Sequence, residues 1–170
     1  MLKTVHASDI TPDVERLFSA IQSVQIATNN AAGQAEISYT PYLRVGELFY
    51  IFISELAAHT QNLKLSSHNI PPQTSLLFIE DEQQCSNIFA RTRLSLSCHA
   101  VFIERDTPLW QTTLDKFELS QGKTVALLRS LPDFHLVELR PKQGSFIKGF
   151  GQAFRFEDLN FMAATAVTGK

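Results

Sequence analysis

Residues 89–99, Phe-Ala-Arg-Thr-Arg-Leu-Ser-Leu-Ser-Cys-His, carry the densest chemistry in the chain. Successive side chains of a β-strand point to opposite faces. As a strand, this segment therefore puts Arg91, Arg93, Ser95, Ser97 and His99 on one side and Ala90, Thr92, Leu94, Leu96 and Cys98 on the other. One face is a ladder of cations and hydroxyls; the other is fit to enter a core. Two guanidiniums two residues apart can grip a carboxylate or a phosphate through paired hydrogen bonds. Taken alone, the alternation describes the wet face of an antiparallel strand at least as well.

The elements around this segment must position it. Thr11-Pro12-Asp13 predicts a helix start, with a capping hydroxyl, proline at the first helical position and an acid in the first turn. Val14, Leu17, Phe18 and Ile21 follow at helical spacing. Val24, Ile26 and Thr28 alternate as a strand, and residues 29–33 turn the chain. Residues 37–45 read as a second strand, in which Pro41 favours an edge or a bulge. The run 48–53 is apolar on both faces, which predicts a strand covered on both sides. A short helix over 56–65 ends before Pro71-Pro72, a strand spans 75–79, and residues 80–84 form a charged loop. The arginine strand then extends toward Ile103. Thr107-Pro108 repeats the cap-plus-proline signal ahead of a helix bearing Leu109, Trp110, Leu114 and Phe117. Residues 123–131 read as helix, and 134–139 and 145–156 as closing strands. The fold class that follows is mainly β (α+β), with six or seven mainly antiparallel strands and three or four helices. Strands this apolar in a short chain suggest a closed or nearly closed barrel.

Composition narrows the function classes. A chain of 170 residues is long enough for one domain that buries roughly 70% of its unfolded surface. No repeat or linker divides it, so residues 1–170 are expected to form one unit, with 1–11 as a lead-in and 157–170 as a short tail. Fifteen basic and 17 acidic residues leave a net charge of −2, which argues against a nucleic-acid partner but allows a local basic pocket. Thirteen phenylalanines point to a large apolar core, an apolar cofactor pocket or a buried oligomer face. The two cysteines have neither metal-ligand nor disulfide spacing. There is no apolar leader and no run of membrane-spanning length, so no membrane partner is expected and the cytoplasm is the expected compartment. The serines lack a Gly-x-Ser-x-Gly context, and the histidines lack metal spacing.

Three stretches together resemble a known family. They are Phe52-Ile53-Ser54-Glu55-Leu56-Ala57-Ala58-His59-Thr60-Gln61-Asn62-Leu63, then Ser75-Leu76-Leu77-Phe78-Ile79-Glu80-Asp81-Glu82, then Phe89-Ala90-Arg91-Thr92-Arg93-Leu94. In that order they resemble the FMN-binding split-barrel superfamily of pyridoxamine 5′-phosphate oxidase. Leu131-Pro132-Asp133-Phe134 and the run from Gln143 through Lys148-Gly149-Phe150-Gly151 to Phe154 narrow the likeness to its haem-utilisation (HugZ/HutZ-type) branch. The resemblance covers roughly residues 12–156. It implies an antiparallel split β-barrel, a homodimer, and two ligand sites at the subunit interface. In the flavin branch the ligand is FMN; in the haem-utilisation branch it is haem, which some members store and others degrade with oxygen and a reductant.

The resemblance also suggests roles for single residues. Arg91 and Arg93 match an arginine pair at the interface site, and Arg93 is the stronger candidate for a haem propionate, since arginine meets a carboxylate bidentately. Asp133 matches an aspartate that reaches across the dimer toward the ligand histidine; an acid there fixes the imidazole's tautomer and raises its basicity. Flavin members carry a phosphate-holding lysine where this chain has Ala58-His59-Thr60, and a neutral imidazole at His59 is a poorer phosphate clamp. A surface or capping role for His59 is equally compatible. Lys148 and Phe150 flank glycines that let the backbone approach a ligand or another strand, or else make a barrel bend with Phe150 in the core. Ser38, Tyr39 and Pro41 match the family pattern as packing beside the site. Haem-binding relatives take an axial histidine from a C-terminal extension. Here no histidine follows His135, and the aligned position falls near Thr168, whose hydroxyl is not a normal haem ligand. His135 is the substitute candidate for the iron, with His59, His99 and Met162 behind it. A haem-binding protein, an FMN-dependent oxidoreductase and a cofactor-free binding module all remain open from the sequence.

Overall fold

The computed structural model describes residues 7–66 and 74–167, so the Pro71-Pro72 stop and Thr168 lie outside the described residues. The elements run β1 (Ala7–Ser8), α1 (Thr11–Ala20), β2 (Ser23–Asn29), β3 (Ala35–Pro41), β4 (Leu43–Val45), β5 (Leu48–Ser54), α2 (Ala58–Ser66) and β6 (Thr74–Ile79). They continue with β7 (Arg93–Ile103), α3 (Pro108–Gln121), α4 (Thr124–Arg129), β8 (Phe134–Gly149), β9 (Gln152–Glu157) and β10 (Ala164–Ala166). Seven of these strands have six residues or more, which matches the sequence expectation; β1, β4 and β10 are short additions.

Strand pairing closes a barrel. β3 pairs with β2 along its whole length, and β4, one residue further on, pairs with β5. The segment 35–45 therefore serves as one bent strand bridging two neighbours. β5 pairs with β8, β8 with β7, β7 with β6 and β6 with β2, all antiparallel, and the ring is complete. β8 is also where the barrel splits. Residues Phe134–Leu139 give one edge to β5, whereas Gln143–Gly149 give theirs to β9, which carries β10 and β1 outside the ring. Two closing strands were expected over 134–156 with a break near 140; instead β8 runs unbroken through Pro141. The register shifts there, with Cys98 opposite Pro141 and Ser97 opposite Gln143, so Lys142 is bulged out. A proline is tolerated beside a bulge, where the ladder is already interrupted.

The phenylalanines fill the interior. Phe49, Phe78 and Phe146 are completely buried in it. Phe18 of α1 meets Phe78 edge-on at 5.1 Å, and Tyr42 meets it at 5.0 Å. Burial of each such ring stabilises the fold by about 2–3 kcal/mol. The opposite face of β5 presents Tyr50 and Phe52 to Trp110, Leu114 and Phe117 of α3, so this strand is covered on both sides, as its apolar run predicts. Glu138, only 3% exposed, is tolerated in this layer because its carboxylate accepts from the Tyr50 hydroxyl at 2.8 Å and from Arg140 Nε. Burial and that carboxylate push the Tyr50 phenol up to about 12.

The sequence places the close backbone approach at the wrong glycine. A Cβ on Gly149 would meet nothing within 4 Å, but one on Gly144 would lie 2.5 Å from Phe156 Cζ and 2.7 Å from the Ser95 carbonyl. Gly144→Ala is expected to cost about 2 kcal/mol in urea denaturation, because neither the ring nor the strand can withdraw freely. Gly149→Ala should stay within about 0.5 kcal/mol of wild type.

α2 is clasped to the barrel by polar contacts. Thr60 Oγ1 donates to the Ser54 carbonyl at 2.6 Å, Asn62 Nδ2 donates to Thr28 and Glu36, and His59 Nδ1 lies 3.1 Å from Ser38 Oγ. At its other side Lys64 and Gln61 donate to Glu55, and His135 Nε2 meets the same carboxylate. Burial holds the His59 imidazole below its ordinary 6.5. Lys64 first, then Gln61 and His135, hold the Glu55 carboxyl at about 2 against an ordinary 4.5. Both groups bind protons more readily when unfolded, so both lose stability toward acid. Stability measured across pH should fall in a first step below about 6.5 that His59→Gln reduces, and in a second between about 4.5 and 2 that Glu55→Gln reduces.

Candidate functional site

β7 delivers the chemistry of its outer face in the order the alternation predicts. Leu94, Leu96 and Cys98 are buried, while Arg93, Ser95 and Ser97 are half-exposed. Its lateral neighbours on the same face follow from register: Ile79 and Ile147 beside Arg93, Leu77 and Ser145 beside Ser95, Ser75 and Gln143 beside Ser97. One step further, Arg155 of β9 lies beside Ser145, and Thr165 of β10 beside Arg155. These hydroxyls and Arg155 line an open cleft of about 640 Å³ whose far wall includes Glu157 and Asn160. Arg93 spends one N–H on the Arg91 carbonyl at 3.0 Å, and no carboxylate pairs with it among the described residues. Its remaining donors can reach an anion.

Arg91 precedes β7 rather than belonging to it, and it lines a separate hollow with Leu77, Ile79 and Glu82. The strand begins at Arg93 rather than near residue 89, because Asn87 caps a single 3-10 turn over Ile88–Ala90 by accepting from Phe89 N at 2.9 Å. Arg91 follows this turn, and its guanidinium donates to the Glu80 carbonyl and, at 2.9 Å, to the Glu82 carboxylate. It fastens the charged loop 80–87. Lys148 is similarly committed: its ammonium lies 2.7 Å from Asp13 and ties the β8–β9 hairpin to α1. Phe150 is not a core residue. It stands 69% exposed at the hairpin tip, since Gly151, with a φ of 69°, turns the chain immediately after it.

Asp133 and His135 lie at the other end of the barrel. Asp133 immediately precedes β8, accepts from Ser54 Oγ at 3.1 Å through Oδ2, and has no partner on Oδ1 among the described residues. His135 faces the barrel mouth, edge-on to Phe102 at 5.8 Å, and its Nε2 is taken by Glu55. His59 is 8% exposed in the first turn of α2, and its Nε2 has no hydrogen-bond partner among the described residues. His99 is half-buried beside Arg140 in the β7–β8 ladder, and Met162 is exposed in a 3-10 turn, neither near the other candidates' contacts. Register fixes the separation: Arg93 opens β7 opposite Ile147, whereas Ile103 closes it opposite Leu136, leaving about 30 Å of strand between the two groups. One protomer therefore does not bring Arg93 and Asp133 together.

Arg155 escapes a reading of motifs, although the alternation of residues 152–157 already places it opposite the serine ladder. The charged contacts of Glu55 likewise depend on α2 and β8 meeting, which no local pattern reports. Among the described residues no helix is long and apolar enough to cross a membrane, and no group of His, Cys, Asp and Glu forms a metal site.

Comparison with known proteins agrees with this architecture. The pyridoxamine 5′-phosphate oxidase family matches residues 10–148. The haem oxygenase HutZ of Vibrio cholerae serotype O1 is 35% identical over 146 residues, which is 86% of this chain and 80% of that protein. Among solved structures, ChuZ of Campylobacter jejuni superposes with a TM-score of 0.81 at 33% identity, covering 94% of this chain and 62% of its own, so the chain spans less than two thirds of ChuZ. HutZ of Vibrio cholerae, there described as a haem storage protein, gives 0.75 at 30% identity over 82% of this chain and 96% of its own. With its closed six-membered ring split at β8, the chain belongs to the pyridoxamine 5′-phosphate oxidase family of split barrels, in the haem-utilisation branch that includes HutZ and ChuZ.

Proposed function

We propose that this protein binds haem for storage or oxidative degradation in the cytoplasm, at sites that two copies of the chain complete together. The observation that carries this reading is the guanidinium of Arg93. It is half-exposed on a hydroxyl-lined sheet face, and most of its N–H groups have no partner among the described residues. A haem propionate supplies the planar anion it can grip with paired bonds. Asp133, with one carboxylate oxygen that has no partner among the described residues, lies at the opposite end of the barrel. A site using both residues takes Arg93 from one copy and Asp133 from the other. Relatives described as a haem oxygenase and a haem storage protein support the choice of ligand.

When bound, haem would supply the iron chemistry; the chain's own part is to hold the propionate on Arg93 and to orient a second group through Asp133. FMN fits less well. The position from which flavin members reach the phosphate holds His59, a buried imidazole whose protonation desolvation disfavours, a poorer phosphate clamp than a lysine ammonium.

Titration of the purified protein with haem should develop a saturable Soret band. Arg93→Ala is expected to weaken that binding about tenfold, the loss of one charge-assisted pair. Saturable uptake of FMN together with indifference to haem would overturn the reading.

A further inference from the structure

The outer face of β7, β8 and β9 carries a second cation that the haem reading does not by itself require. Arg155 is exposed, lines the cleft, and has neither a hydrogen-bond partner nor an ion-pair partner among the described residues. It shares the face of Arg93: Arg93 pairs with Ile147, Ile147 with Ala153, and Arg155 is two residues beyond. Two strand spacings across and two residues along separate the two backbones by about 12 Å. Each side chain is long enough to lean toward the other, so their guanidiniums can meet two anionic groups on one ligand. On the intervening strand stand Ile147, beside Arg93, and Ser145, beside Arg155, so one apolar side chain and one small hydroxyl separate the two arginines. Glu157 lies two residues further along β9, on the side away from Arg93. It sets a negative limit that keeps a ligand carboxylate at the arginine end.

We propose that Arg155 is a second carboxylate anchor, so that the face of β7, β8 and β9 selects a flat ligand carrying two carboxylates over one carrying one or none. This rests on the haem reading and adds its specificity: both propionates are held, on Arg93 and Arg155 of one sheet face.

The test compares haem with its dimethyl ester, which keeps the ring and iron but loses both carboxylates. Each is titrated by Soret absorbance into the full chain, into Arg155→Ala and into Arg155→Lys, with thermal unfolding and sedimentation as controls. Arg155→Ala should bind haem about tenfold more weakly and the diester unchanged. Arg155→Lys should fall between, since lysine offers a point charge rather than a fork. The exposed, unpaired position predicts an unchanged melting temperature. Equal effects on haem and diester, or no effect on either, would overturn the proposal while leaving haem binding in place. A shift in the monomer–dimer equilibrium with intact discrimination would assign Arg155 to the contact between copies and overturn it too. If the unaltered protein takes up neither compound, the haem reading itself falls, and this inference with it.

Discussion

Everything in this molecule depends on one strand having two different neighbours along the same edge. β8 gives its first half to β5 and its second to β9, and the bulge at Lys142 marks the change. Without the first pairing the ring would not close over Phe49, Phe78 and Phe146. Without the second, β9 would have no place, and the face carrying Arg155 would not exist. Gly144 shows how tightly this crossing is packed, because the Phe156 ring occupies the space where any other residue would place its first side-chain carbon.

The same strand explains why the candidate residues fall into two groups. β7 and β8 run the full length of the barrel, so a residue at one end is remote from a residue at the other however near they stand in a motif. Arg93 and Arg155 belong to the outer face at one end, and Asp133 and His135 to the opposite mouth. The proposed pairing of two copies would resolve this: a two-fold axis can lay one end of a barrel against the other end of its mate, and each site would then recur twice. The polar mouth around Glu55 then has a structural part, fixing α2 and His135, while Asp133 keeps one carboxylate oxygen without a partner among the described residues.

Local patterns were legible wherever one physical rule decided the outcome. The alternation of Arg93, Ser95 and Ser97 against Leu94, Leu96 and Cys98 survives intact, because one face of β7 is sealed in the core. Thr107 caps α3 as its sequence foretells, its hydroxyl oxygen accepting from the backbone N–H of Trp110 at 3.3 Å. The similar Thr11-Pro12 signal misleads slightly: Thr11 lies inside α1, and Asp9 accepts from its N–H instead. β7 begins later than the alternation suggests because Asn87 diverts the chain into a turn ahead of Arg91, and Phe150 stays out of the core because the hairpin turns after it. The ends of long strands, the partners of Lys148 and the isolation of Arg155 depend on contacts between segments far apart in sequence. Periodicity does not report such contacts.

The central claim is that a ligand site is completed by two copies of the chain, Arg93 from one and Asp133 from the other. The most direct measurement mixes two defective proteins, Arg93→Ala and Asp133→Asn, allows their subunits to exchange, and titrates the mixture with haem. Each alone should bind weakly. If the account is right, every mixed dimer regains one intact site, and tight haem binding returns on mixing. If the mixture binds no better than its two components while subunit exchange is demonstrated, the two residues do not share a site across copies, and the account is contradicted.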